Sequence, residues 1–352
     1  MKIFRASLRL PPCRGGMENH IKQLSTQQLN QGHEVKTYFN QGQKISPDDI
    51  AIFRKIKLSI IRPQFIGYLI FYLGIIFQIL ISKSRFDILH IHGDWSSLIF
   101  IKPLRRITQT KKVILSVHDE ISNRFFYKKL MQNRLKKVDM ILTTGVEAKN
   151  QISMLTKKEI IIQSSGVEDL FFTTDLVLRE KSNQIIVVSN LLKKKNLDLV
   201  IDIAKKTKII EFIIAGEGSE RENLKERIRN ENISNVSLKG YLDKKELKIL
   251  YLSSFAFLHV ATKEGTPTAI LEAMASGLPI VSTYAGGINK LINNSNFFHL
   301  PSEIDKFRES ILLLFSNKPL AEKIGRENMT EATNYRWADV AFRISNLSKN
   351  EV

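Results

Sequence analysis

Lys263-Glu264-Gly265-Thr266-Pro267-Thr268-Ala269-Ile270-Leu271-Glu272-Ala273-Met274-Ala275-Ser276-Gly277 places two carboxylates eight positions apart around the start of a short helix. Thr266 is a good N-cap, and Pro267 suits the first helical position, where a missing N–H costs nothing. Gly277 can close the helix in a left-handed conformation. Leu278 to Thr283 then reads as a buried strand. Glu264 falls on the loop entering the helix, and Glu272 falls inside it. A solvated helix face would need polar neighbours, but Ala269, Ile270, Leu271, Ala273, Met274 and Ala275 offer none. A carboxylate placed there needs a polar partner, from the protein or from a ligand. The free N–H groups expected at Thr266 to Thr268 suit an anion such as a phosphate.

Outward from this stretch, the chain alternates strand and helix. Strand candidates are Lys2–Ala6, His33–Phe39, Asp87–His92, Lys112–Val117, Asp139–Thr144 and Glu159–Gln163. A helix from about Met17 to Gln31 carries its apolar stripe on Met17, Ile21, Leu24 and Leu29. The rhythm restarts after a charged, irregular segment at about 172–183. There the strands are Gln184–Val188, Ile209–Ala215, Val236–Lys239, Phe255–Val260 and Leu278–Thr283. Helices are expected near Leu197–Lys206, Glu220–Asn230 and Lys244–Leu250. Such alternation predicts parallel sheets with right-handed crossovers. The expected fold is α/β, two Rossmann-like domains facing a cleft, with ligands beyond the carboxyl ends of the strands.

Several shorter motifs fall at those ends. Gly15-Gly16 follows the first strand and precedes a helix, so bare backbone and a helix start converge. His90, His92 and His118 stand near strand ends. Neither His90 nor His92 reads as a metal ligand, because no carboxylate or third histidine lies at ligand spacing. Lys193-Lys194-Lys195 follows the strand at 184–188, and Gly216-Glu217-Gly218 follows the strand at 209–215. Each is weak by itself: a solvated lysine face and an ordinary turn have the same text.

The segment 263–277 resembles the E-x7-E signature of GT-B retaining glycosyltransferases of family 4. Pro12 to His20 is similar to that family's P-x3-G-G-x-E-x-H loop, and Ser237–Leu242 to its nucleobase segment. Tyr335-Arg336-Trp337 resembles its F-S-W before a final helix that crosses back to the first domain. The resemblance runs from about Met1 to Leu347 and is weakest at 40–85 and 290–305. It implies domains at 1–171 (acceptor side) and 172–335 (nucleotide-sugar side), with 336–352 as the returning helix. It implies catalytic roles for His118, which would contact the transferred sugar, and Glu264, which would orient it. Donor contacts would come from Gly15, Gly16, Asn190, Lys195, Gly265, Thr266, Pro267, Thr268 and Glu272, the last gripping the ribose hydroxyls. Two departures stand out: Asn190 occupies an arginine position in the diphosphate-binding motif, and Lys290 an acidic one. An amide cannot neutralise a diphosphate.

Of 352 residues, 43% are apolar and 25% charged, as in ordinary globular proteins, and the length allows two domains. One cysteine, Cys13, excludes an internal disulfide framework and fits a reducing compartment. Met1–Arg5 does not read as a secretory signal. The net charge of +18 is uneven, with 27 Lys and Arg against 13 Asp and Glu in residues 1–170, and 26 against 22 in 171–352. An anionic partner is therefore expected. No zinc finger or RNP pattern favours nucleic acid, whereas two stretches favour an anionic membrane surface. Arg124–Lys137 combines aromatics with basic residues. Phe65–Ile81 is an uncharged run at the lower limit for spanning, and reads better as a core or interface-lying helix. The expected location is cytoplasmic, peripheral on the inner face of the cell membrane.

The chain holds no D-x-D, so neither metal nor other cofactor is expected. The implied reaction moves a sugar from a nucleotide-sugar donor to a saccharide acceptor, lipid-linked or of the lipopolysaccharide type. Two alternatives stay open: another GT-B enzyme such as a sugar epimerase, and a catalytically impaired membrane-associated binding subunit, to which Asn190 points.

Overall fold

The computed structural model describes residues 1–13, 15–93, 95–118, 125–172, 182–262, 267–285, 288, 292 and 295–349. The chain divides into two compact units, Met1–Ser165 with Trp337–Val352, and Gly166–Arg336. The division falls six residues before the expected 171/172 boundary. The cause is Phe171, which is fully buried in the second unit's core beside Tyr251 and Leu271.

The first unit contains β1 (Lys2–Arg9), α1 (Gly16–Asn30), β2 (Glu34–Gln41), β3 (Ile50–Ala51) and α2 (Gln64–Ser82). It continues through β4 (Ile88–His92), α3 (Trp95–Leu98), α4 (Ile101–Thr108), β5 (Lys112–Val117), α5 (Phe125–Leu135), β6 (Met140–Thr143), α6 (Val146–Ser153) and β7 (Ile160–Ile162). All pairings are parallel, in the order β3-β2-β1-β4-β5-β6-β7. Successive side chains alternate faces, which explains two separate cores. Phe4, Leu89, Val113, Leu115 and Ile141 pack under α2, α4 and α5. Ile3, Ile88, Ile114 and Met140 pack on the other face, under Leu24 of α1 and under Trp337, Val340 and Ile344 of the last helix.

The second unit holds β8 (Gln184–Val188), α7 (Asp198–Lys206), β9 (Glu211–Ala215), α8 (Arg221–Asn230), β10 (Val236–Gly240), α9 (Lys244–Leu252) and β11 (Ala256–His259). Then come α10 (Thr268–Ala275), β12 (Ile280–Thr283), β13 (Phe297–His299), α11 (Ile304–Ser316) and α12 (Lys318–Ala332); α13 (Trp337–Lys349) belongs to the first unit. The strand order is β10-β9-β8-β11-β12-β13. Both sheets therefore have the doubly wound order, and each has a switch point where the strand sequence reverses: between β1 and β4, and between β8 and β11.

In the stretch that opened the sequence reading, the described residues 267–277 fold nearly as expected. α10 begins at Thr268, with Pro267 in extended conformation at the N-cap rather than at the first helical position. Gly277 is left-handed at φ 69°. Its N–H donates to Met274 O (2.8 Å) and that of Leu278 to Ala273 O (3.0 Å), which satisfies two terminal carbonyls. α12 crosses this cap at Gly325, where a Cβ would stand 2.2 Å from Gly277 O. We expect Gly325→Ala to destabilise the protein by about 1–3 kcal/mol through overpacking, read as a lower urea midpoint. An unchanged midpoint would show that this crossing is loose.

Candidate active site

In the first unit, polar groups gather at the carboxyl ends of β1, β4 and β5. Gly15 precedes α1, and a Cβ there would lie 1.9 Å from Glu18 Oε2. Glu18 is buried and paired with Arg9 (2.6 Å), so glycine at 15 makes room for that carboxylate. Gly16 is exposed, with nothing near its Cβ position, and no side chain caps the helix. The pair thus does two different jobs: one leaves space for Glu18, and the other leaves bare backbone.

The register of β4 on β5 sets His92 beside Ser116. Two residues beyond Ser116, on the same face, comes His118. The rings of His90 and His92 stack at 4.2 Å, and those of His92 and His118 at 5.3 Å. His92 Nδ1 and His118 Nε2 are 3.0 Å apart, and His90 Nε2 is 2.8 Å from Ser116 Oγ. From α1, His20 closes edge-on over His118 at 4.5 Å and Trp337 at 5.1 Å, and its Nδ1 meets Ser165 Oγ at 2.9 Å. His118 is half-buried and opens onto a small cleft with His20, Thr144, Gln163 and Ile344.

This convergence corrects one sequence argument. A third histidine was missing at ligand spacing along the chain, yet the fold brings His20, His92 and His118 together, with ligand atoms within 4.8 Å of one another. No carboxylate completes the group among the described residues. The short His92–His118 contact would have to open for both rings to face one ion.

In the second unit, three loops at the carboxyl ends of β8, β9 and β10 are sewn together. Gly216, at φ 145°, would carry a Cβ 1.8 Å from Ser189 O, and Gly218 one 2.2 Å from Leu191 O. Ser189 N–H donates to Ala215 O (3.1 Å), Leu191 N–H to Glu217 O (2.9 Å) and Gly216 N–H to Gly240 O (2.7 Å). The G-x-G turn therefore lets the 189–191 loop lie directly on it. Asn190 sits exposed on that loop, and Lys193–Lys195 form one tight turn closed by left-handed Asn196. Thr262, on the loop after β11, donates through its backbone N–H (3.2 Å) and its hydroxyl (3.1 Å) to Lys194 O. Both sides of this switch point are thereby joined.

Glu264, Gly265 and Thr266 lie outside the described residues, as do Gly286, Gly287 and Lys290. Pro267 is buried and Thr268 exposed, and no side chain caps the start of α10. Glu272 is 5% exposed. Its Oε1 pairs with Lys244 Nζ, and its Oε2 accepts from Tyr251 OH at 3.2 Å. The carboxylate is thus already satisfied by the protein. Burial alone would depress the Lys244 pKa, but the charge and hydrogen bond of Glu272 overcome it and hold it above the usual lysine value. Burial, reinforced by Glu272, raises that of Tyr251 well above 10. Sequence reasoning found Glu272 but neither of these partners, one at the start of α9 and one a full two turns along it.

Burial, helped by neighbouring positive charge, lowers the pKa of His20, His90 and His92 well below 6.5. The unfolded chain takes up protons on these rings below about pH 6.5 while the folded one does not. Stability therefore rises with pH through that range and is lost as pH falls beneath it, by up to about 1.4 kcal/mol per pH unit for each ring. Urea midpoints should drop from pH 7.5 to 5.5, and His92→Gln should flatten the drop; equal slopes for both proteins would contradict the assignment.

Comparison with known proteins agrees with this geometry. The family description "Glycosyl transferases group 1" matches residues 172–330, and "Glycosyltransferase Family 4" matches residues 14–159. A human phosphatidylinositol N-acetylglucosaminyltransferase subunit is 26% identical over 354 residues, covering 94% of this chain and 72% of that protein. The gpi3 subunit of the same transferase from Schizosaccharomyces pombe is 24% identical over 94% of this chain and 77% of its own. Among solved structures, a sucrose-phosphate synthase from Thermosynechococcus elongatus superposes with a TM-score of 0.83 at 15% identity, over 99% of this chain and 98% of that one. Anabaena HepE in complex with UDP and glucose gives 0.77 at 14% identity, over 99% of both chains. The two family matches span nearly all of both units, and the chain belongs to the GT-B glycosyltransferases of group 1, family 4 type.

Proposed function

We propose that the protein transfers a sugar from a uridine diphosphate donor to a saccharide carried on a lipid, with retention of anomeric configuration and without a metal. The observation that carries this is the buried Glu272 on a helix whose start has no side-chain cap, in the same unit as a turn of three lysines tied to Thr262 at the sheet's switch point. Ionised carboxylate accepts hydrogen bonds only, which suits a pair of ribose hydroxyls. The open helix start and Lys193–Lys195 suit the diphosphate. The relatives named as phosphatidylinositol N-acetylglucosaminyltransferase subunits support the lipid-borne acceptor, and HepE with UDP and glucose supports the donor class. A surface-polysaccharide or lipopolysaccharide acceptor belongs to the same reading, at the cytoplasmic face of the membrane.

The chemistry asked of the chain is positioning and leaving-group stabilisation. As the diphosphate departs, its growing charge is met by lysine ammonium groups and backbone N–H groups. Asn190 adds a hydrogen-bonding group in place of a fixed planar cation, so more of that charge falls to the lysine turn. By resemblance, Glu264 holds the donor sugar's hydroxyls, and His118 contacts the transferred sugar.

Release of UDP from a panel of UDP-sugars should identify a donor, and turnover should survive dialysis against EDTA. In the same assay Glu264→Ala should lose at least about a hundredfold in kcat, the scale of losing a positioning contact. Turnover abolished by the chelator, or undiminished in the variant, would refute the reading. Glu272→Gln should weaken UDP about tenfold in calorimetry, the cost of one charged hydrogen bond. Unchanged affinity would leave Glu272 as a purely structural partner of Lys244.

A further inference from the structure

α2 spans 19 residues, about 28 Å at helical rise, and holds no charged side chain. A helix apolar all round belongs wholly inside a protein or in a membrane. This one is neither fully enclosed nor polar outside. Phe71, Tyr72, Ile75 and Ile79 are buried in the first unit's core. On the opposite side Phe65, Leu69, Leu73, Phe77 and Leu80 form one exposed stripe, with Leu73 54% and Phe77 63% accessible. Their spacing of three and four residues keeps them on a single face. Ordinary exposed hydrophobics are scattered, whereas a contiguous stripe of this length marks a contact surface.

The charge around the stripe selects the partner. Residues 50–86 carry six Lys and Arg and no Asp or Glu. The loop before α2 crosses the helix at two glycines: a Cβ on Gly67 would strike Leu58 O at 2.3 Å, and one on Gly74 the Phe53 ring at 2.6 Å. That crossing holds exposed Phe53, Ile56 and Ile60 and the cations Arg54, Lys55 and Lys57 at the helix, while Arg62, Lys83 and Arg85 flank its ends. All six cations are exposed, and none forms an ion pair among the described residues. Exposed apolar side chains ringed by unpaired cations complement acyl chains beneath anionic headgroups.

We propose that the outer face of α2, with the 53–62 loop, docks the first unit on an anionic lipid bilayer. The helix lies in the interface plane. Spanning would pull Phe71, Tyr72, Ile75 and Ile79 out of the core. α5, the other stretch read as membrane-facing, turns Met131 and Leu135 into that core instead. The docking face rests on the proposed lipid-borne acceptor only for its purpose, and it is measured without donor or acceptor.

The test is sedimentation of the full chain with phosphatidylcholine vesicles with and without about 30% phosphatidylglycerol, at low and high salt. The wild type should bind the anionic vesicles, and salt should weaken that binding. The double variant Leu73→Ser, Phe77→Ser should bind at least about tenfold more weakly, since each substitution removes a buried apolar side chain from the interface. Both positions are exposed, so circular dichroism and UDP release should stay at wild-type levels. Three results would each overturn the proposal: no vesicle binding by the wild type at low salt, equal binding by the variant, or a wild-type dimer that the variant dissolves. UDP release can fail while docking succeeds, so the two readings are separable.

Discussion

A parallel strand buried on both faces has almost nowhere to put a polar side chain except its ends. That constraint orders both units. The loops at the carboxyl ends of β1, β4 and β5 collect Gly16, His92 and His118, and those of β8, β9 and β11 collect Asn190, Gly216 and the path into 263–266. The largest exception inside a strand, Arg5, comes with partners. Arg5, fully buried in β1, donates to Ser25 Oγ (2.6 Å) and to Gln28 Oε1, and reaches His90 Nδ1 at 3.4 Å. His90 passes the network on to Ser116. Burial lowers the pKa of Arg5 to about 9, which leaves it a cation at neutral pH. Its charge then adds to burial and to the neighbouring rings in keeping the histidine column neutral.

The same rule acts differently at Glu272. A buried charge is tolerated when its partner is fixed, and Lys244 and Tyr251 are both held on α9. The pair keeps α10 in place without a ligand. Any ligand hydroxyl that met Glu272 would have to share a carboxylate already in use.

Much of this was legible in the text of the chain. Apolar runs placed most strands to within one or two residues, β1 running three residues past the expected Ala6, and Gly277 marked the helix end. Two-residue β3 and three-residue β13 carry too few side chains to announce a period. Pro267 was read one position too far into the helix, because a proline at the N-cap and at the first helical residue look alike in sequence. Gly216 and Gly218 read only as a weak turn signal, and in the fold they admit the carbonyls of Ser189 and Leu191. The meeting of His20 with His92 and His118 was not legible at all. It depends on strand register and on where α1 lies over the sheet, and neither is a local property.

α2 shows most clearly why composition underdetermines structure. Its sequence is compatible with a core helix, a spanning helix and an interfacial one, since all three reward unbroken apolar text. Packing separates them. Half of the helix is committed to the core through Phe71, Tyr72, Ile75 and Ile79, which forbids spanning, and the other half is left without protein cover. Gly67 and Gly74 fall on the inner side, where they let the preceding loop approach its backbone. These two glycines thus bring the loop that carries Arg54, Lys55 and Lys57 against the helix. A helix enclosed by the core would leave no such stripe exposed beside a cationic loop, so it is the packing, and not the apolar text, that tells the three apart.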